Sequence, residues 1–311
     1  MEIISEEKDD DTNTMTMFCA SCGVAEVDDV KLKNCDDCDL VRYCSDDCRQ
    51  DHRPQHEEEC EKRAAELKDE VLFKQPESSH MGDCPICCLP VPIEKQKSIL
   101  YPCCCKRICR GCSLANEKRE NEMRLQQSCP FCREAVVFTA EEINRRLVMR
   151  IEANDPVAMR HLGMKRYDEG DYTATFEYAT KAAALGDADA HFQLSCLYGE
   201  GEGVEKDEKR EQHHLTEAAI AGHTHARHNL ACVEMKNDRV DRAVKHFIIA
   251  AKLGCDESLG TVKDLYKAGH VIKEDFAAAL RGHHAAIEAT KSPQRKESEI
   301  FSNFLNNYVC S

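Results

Sequence analysis

Cysteine supplies most of the chemistry this sequence could do. Seventeen of its 21 cysteines fall between Cys19 and Cys132, and most stand in pairs two residues apart. A first block runs Cys19-x2-Cys22, Cys35-x2-Cys38, Cys44-x3-Cys48 and His56-x3-Cys60. A second runs from Cys84-x2-Cys87 through the run Cys103, Cys104, Cys105 to Cys109-x2-Cys112 and Cys129-x2-Cys132. Each short pair lets two soft ligands reach one tetrahedral Zn2+ at about 2.0–2.3 Å. Eight ligands in four pairs make two sites, so two blocks imply four structural zinc ions per chain. A rival parse takes Cys35, Cys38, His52 and His56 as a DNA-binding finger. It strands five cysteines of that block, and its recognition helix, SDDCRQD, would be acidic.

Compartment decides between metal and disulfide. The opening MEIISEEKDDDTNT has no basic segment leading into an apolar run, so no secretory signal is expected. No stretch approaches the ~18 apolar residues of a membrane helix. The expectation is a cytoplasmic or nuclear chain without membrane contact, where thiols stay reduced and clustered cysteines bind metal. With 57 acidic against 42 basic residues, the net charge of −15 argues against a general nucleic-acid surface.

The elements that must position these ligands follow from composition shifts. Residues 1–17 are acidic and expected to be disordered, 18–60 form the first zinc module, and 61–82 a helix and linker. Residues 83–134 form the second module and 135–154 a connecting helix, opened by Thr139 and Glu142 at capping-box spacing. Repeats fill 155–292, leaving 293–311 as a C-terminal tail. Paired alanines recur at 182–183, 218–219 and 250–251, each followed by glycine at 186, 222 and 254. Ala158, Ala190 and Ala226 precede Leu162, Leu194 and Leu230, and Ser258 with Val262 continues the pattern in degraded form. Small alanines let two helices approach closely, and glycine ends each one. The fold class is therefore mainly α: two small cross-braced zinc-finger modules followed by an α-solenoid of helical-hairpin repeats.

Three resemblances follow from these motifs. The first block, with Tyr43 just before Cys44, resembles the MYND zinc finger. That resemblance implies one zinc on Cys19, Cys22, Cys44 and Cys48 and another on Cys35, Cys38, His56 and Cys60, with His52 not ligating. Arg53 stands where that family usually carries Trp beside its peptide-binding surface. The second block, CPIC…IC-x2-C…CPFCR, resembles a RING finger without a ligand histidine. Cross-bracing would put one zinc on Cys84, Cys87, Cys109 and Cys112, and the other on Cys129, Cys132 and two of the three consecutive cysteines.

Lys106 stands at the usual histidine position, and an ammonium has no lone pair for a metal. An extended strand would put Cys103 and Cys105 on one face; a turn permits Cys103 with Cys104, the pair we expect. Cys88 is left as a spare thiol. The RING resemblance also implies docking of a ubiquitin-conjugating enzyme at Ile86 and Pro130, with Arg133 steadying the donor ubiquitin. Residues 155–290 resemble Sel-one-like repeats, relatives of tetratricopeptide scaffolds that hold other proteins.

The leading reading is a zinc-binding adaptor whose partners are other proteins. The alternative is a RING-type ubiquitin–protein ligase whose solenoid selects substrate. His213, His214, His223, His225 and His228 lack carboxylates or cysteines at ligand spacing and read as solvated or packed. Cys196, Cys232 and Cys255 read as small buried residues. No nucleophile–base arrangement or phosphate-cradling loop is apparent.

Overall fold

The computed structural model describes residues 17–309, which divide into two compact units between Leu72 and Phe73. The acidic stretch expected to be disordered lies, apart from Met17, outside the described residues. Among the described residues no helix is long and apolar enough to cross a membrane.

In the first unit, β1 (Lys33–Asn34) pairs antiparallel with β2 (Arg42–Tyr43), Lys33 opposite Tyr43. One long helix, α1 (Asp46–Leu72), follows. The Ser45 hydroxyl accepts from the Cys48 amide at 3.2 Å, which starts that helix inside the finger rather than after it. Residues 48, 52, 56 and 60 then recur every four positions and share one helical face.

The second unit opens with a hairpin, β3 (Ser98–Tyr101) against β4 (Lys106–Cys109), whose register pairs Tyr101 with Lys106. Its four-residue loop is Pro102 and the three consecutive cysteines. Cys109 caps α2 (Arg110–Glu122). The connecting helix is α3 (Ala140–Glu152), with the Thr139 hydroxyl accepting from the Glu142 amide at 3.3 Å.

Four helical hairpins make the solenoid: α4 (Pro156–Asp168) with α5 (Tyr172–Ala184), α6 (Ala188–Glu200) with α7 (Glu208–Ile220), α8 (Thr224–Lys236) with α9 (Val240–Lys252), and α10 (Asp256–Lys267) with α11 (Lys273–Ala289). The signature residues line the helix contacts. Ala158, Ala190, Ala226 and Ser258 are fully buried, as are Ala182, Ala218, Ala219, Ala250 and Ala251. Asp155, Asp171, Asp187 and Asp207 cap successive helices through their carboxylates. Gly186, Gly222 and Gly254 follow the paired alanines with φ near +83°, +82° and +95°, the left-handed region that ends a helix without Cβ strain.

The structure adds detail to two segments. The linker is laid on the repeats: Phe73 packs on His246 with ring centroids 4.7 Å apart, and the His80 amide donates to the Gly222 carbonyl at 3.1 Å. The stretch expected as a tail is helix α12 (Pro293–Val309), packed against α2.

Candidate metal centres

Five short turns share one closure. The amides of Gly23, Asp39, Cys88 and Arg133 donate to the carbonyls of Cys19, Cys35, Cys84 and Cys129 at 2.9, 3.2, 2.8 and 2.9 Å. Each donor directly follows a Cys-x2-Cys pair, and each has positive φ. The turn aims both thiols of the pair to one side. Cys105 repeats it, with φ +51° and its amide on the Tyr101 carbonyl at 2.8 Å. Cys104 thus occupies the second-ligand position of a knuckle, and Cys105 the residue that closes it.

The turns and helices gather four ligand sets. Cys19, Cys22, Cys44 and Cys48 form one, and Cys35, Cys38, His56 and Cys60 a second. Cys84, Cys87, Cys109 and Cys112 form a third, and Cys103, Cys104, Cys129 and Cys132 the fourth. Within each set the ligand atoms lie within 4.8 Å of one another. A tetrahedron with Zn–S bonds of 2.3 Å has sulfur–sulfur edges of about 3.8 Å. Cys22–Cys44 at 3.5 Å, Cys35–Cys60 at 3.7 Å, Cys87–Cys109 at 3.9 Å and Cys104–Cys129 at 3.8 Å bracket that length. Cys38 Sγ lies 3.1 Å from His56 Nε2. Soft donors at these separations fit zinc. Among the described residues every cysteine is free of disulfides.

Pairs from alternate stretches of chain meet in each block, first with third and second with fourth, so the two sets interleave along the sequence. Cys48 serves the first set from the same face of α1 that gives His56 and Cys60 to the second. His52, on that face too, turns its Nδ1 to the Tyr43 hydroxyl at 3.1 Å and joins neither. In the second cysteine block, buried Glu120 of α2 accepts from the Ser128 amide at 3.2 Å and hydroxyl at 2.6 Å, fixing the loop that presents Cys129.

Electrostatics set the charge a metal would meet. Burial opposes ionisation of Cys19, but the amides of Cys22 and Cys44 outweigh it and lower the thiol to about 6. Burial pushes Cys112 up to about 12 and Cys105, outside the four sets, to about 11. Cys105 is 6% exposed and packs with Leu147 of α3 and Ala158 of α4. The third of the consecutive cysteines is core.

The residues expected to dock a conjugating enzyme are not presented alike. Ile86 is exposed, Pro130 is buried, and Arg133 is exposed with its guanidinium on Asn116 Oδ1 at 3.1 Å. Of the three repeat cysteines expected to be buried, Cys255 is, Cys232 is half-buried and Cys196 is exposed.

Sequence spacing also missed a carboxylate beside His223. Asp189 Oδ1 lies 3.5 Å from Nε2 of both His80 and His223, whose rings stack at 4.1 Å. The Ala226 amide donates to His223 Nδ1 at 3.0 Å, so the proton of the neutral ring sits on Nε2, facing Asp189. Burial keeps that ring neutral by lowering it to about 4. A protonated nitrogen gives a metal nothing, and Arg160 already pairs with Asp189 Oδ2 at 3.2 Å. This trio pins the linker to α6 and α8.

Comparison with known proteins matches the geometry. Residues 19–60 fit the family model of the MYND finger. Residues 156–187, 188–223 and 235–255 fit that of the Sel1 repeat. The chain carries a MYND finger and Sel1 repeats. Among solved structures, a Sel1 repeat protein from Oxalobacter formigenes is 22% identical, with 60% of this chain and 75% of that one covered at a TM-score of 0.42. The antigen c5321 of uropathogenic Escherichia coli, described as displaying an SLR fold, is 27% identical, with 48% and 33% covered at a TM-score of 0.40. MamA is 16% identical, with 48% and 87% covered at 0.31. No curated protein matches the chain.

Proposed function

We propose that this protein is a zinc-dependent scaffold that binds other proteins, holding four structural Zn2+ ions in the cytoplasm or nucleus. The observation that carries the reading is the closed character of the ligand sets. Each offers four protein donors, which fill a tetrahedral site and leave no position for water or substrate. Such metal shapes a surface rather than performing chemistry. The MYND finger and Sel1 repeats then supply two surfaces on one chain. Elemental analysis of purified protein should return four zinc ions per chain, and two or fewer would overturn one finger. Proteins retained by the wild type and lost on Cys35→Ser/Cys38→Ser would identify finger-dependent partners; identical retention would remove the MYND surface from the proposal.

The second finger supports one further reading, that of a RING-type ubiquitin ligase. Its ligand pairs interleave, first with third and second with fourth, and Ile86 is 43% exposed beside Cys87. Burial of Pro130 counts against docking through that residue. Autoubiquitination over a panel of conjugating enzymes, with Ile86→Ala as control, decides it. No chain formation from zinc-loaded protein ends the ligase reading.

A further inference from the structure

Arg295 lies in the first turn of α12, yet its guanidinium ends at a metal set assembled from residues 84–112. One nitrogen, Nη2, donates to Cys87 Sγ at 3.3 Å and to the Leu89 carbonyl at 3.1 Å. The other, Nη1, donates to the Pro90 carbonyl at 2.6 Å and to the Thr290 carbonyl at 2.8 Å. The residue is 6% exposed. Its backbone is held as firmly: the Ser292 hydroxyl accepts from the Arg295 amide at 3.2 Å, and buried Ser298 bonds its carbonyl at 2.7 Å.

The surrounding helices are built for this approach. A Cβ at Gly111 of α2 would stand 2.8 Å from the Arg295 backbone nitrogen, so only glycine admits α12 so close. Lys118 of α2 pairs with Glu297, and Lys97 reaches Glu299 at 3.5 Å. These exposed pairs flank a buried one of a different kind.

Four thiolates around Zn2+ leave two negative charges in a largely buried site. A guanidinium hydrogen-bonded to one of those sulfurs offsets part of that charge, and such bonds to ionised acceptors are the strong class. Outer-shell partners of metal ligands commonly contribute 10–100-fold in metal affinity. We propose that Arg295 is an outer-sphere positioning residue for the metal held by Cys84, Cys87, Cys109 and Cys112, so that metal binding there and docking of α12 stabilise each other. Linkage makes the coupling reciprocal: whatever α12 adds to metal affinity, metal adds to α12 docking. The inference rests on zinc occupying this set, as in the proposed function.

The test uses full-length wild type, Arg295→Met and Arg295→Lys. Native mass spectrometry of the wild type first establishes that Cys84, Cys87, Cys109 and Cys112 hold zinc, with Cys84→Ser removing one ion. A wild type without metal there ends the zinc reading itself, and this inference with it. With metal present, zinc competition against a chelator should show one ion in Arg295→Met held 10–100-fold more weakly, with the other three unchanged. Arg295→Lys, which keeps the charge but loses the planar fork, should fall between.

Two readouts separate a bond to sulfur from simple helix docking. Without its N–H donor the Cys87 thiolate is more easily oxidised and more nucleophilic. The cobalt-substituted protein should therefore show its thiolate-to-metal band at lower energy, and iodoacetamide should label Cys87 faster. Hydrogen exchange should rise across 293–302 when zinc is stripped. Unchanged zinc affinity in both variants overturns the proposal, as does weakened affinity with an unshifted band and unaltered Cys87 labelling.

Discussion

The Cys105 amide closes on the Tyr101 carbonyl at 2.8 Å, the same bond that Cys88 makes to Cys84. Tyr101 therefore stands where a knuckle would begin with a ligand, and Cys104 where it ends. This geometry groups Cys103 and Cys104 with Cys129 and Cys132 as potential ligands and leaves Cys105 as the closing residue. Cys104→Ser should cost one zinc by native mass spectrometry, whereas Cys105→Ala should keep all four. Loss of zinc from Cys105→Ala would return Cys105 to the ligand set.

Removing metal should separate the chain's two kinds of stability. Structural zinc supplies ~10–16 kcal/mol of apparent folding free energy, and the finger cores are composed largely of the ligands themselves. Chelation should open residues 19–60 and 84–132 to protease. The far-UV helical signal of α4–α11 should persist, because those helices bury alanine and leucine. A single cooperative loss of both signals would show that the repeats depend on metal.

The repeat core should respond to volume. Leu194 is 1% exposed among Met159, Ala179, Ala190 and Leu197. Leu194→Ala should cost about 2–5 kcal/mol in urea unfolding. Leu185, 51% exposed, should tolerate alanine within about 0.5 kcal/mol.

Acid should weaken the same core through buried histidine. His246 is fully buried, neither ring nitrogen has a hydrogen-bond partner among the described residues, and burial lowers it to about 3. Its folded value lies below the unfolded one, near 6.5, so the unfolded chain takes the proton first as pH falls. The stability it contributes is intact above pH 6.5 and declines towards pH 3. Between pH 7.5 and 5.5 the wild type should lose about 1.4 kcal/mol more than His246→Leu. Parallel pH profiles would show that His246 protonates without unfolding.

What the sequence disclosed, and what it hid, follows from chain separation. Knuckle pairs such as Cys129 and Cys132 are chelates closed within four residues, so spacing alone exposes them. The repeats are similarly local, since Ala190 and Leu194 fall one helical turn apart. The consecutive cysteines were ambiguous because Lys106 displaced the expected ligand; the turn closed by the Cys105 amide is what gathers Cys103 and Cys104 beside Cys129 and Cys132. A cysteine placed directly after a second ligand, as Cys88 and Cys105 are, marks the closing position and was a usable signal. His80 with Asp189 and Arg295 with Cys87 left no such trace. Each joins residues more than a hundred positions apart, and no local period encodes that contact.

The reach of Arg295 has a consequence in time as well as space. It is translated 183 residues after Cys112, the last ligand of the set it touches. At ~5–20 residues per second a ribosome needs roughly ten to forty seconds to cover that interval. Throughout it the nascent chain has the four sulfurs of this set but not the guanidinium that faces one of them. If Arg295 acts on the metal as proposed, its own arrival, rather than that of the last cysteine, completes this centre.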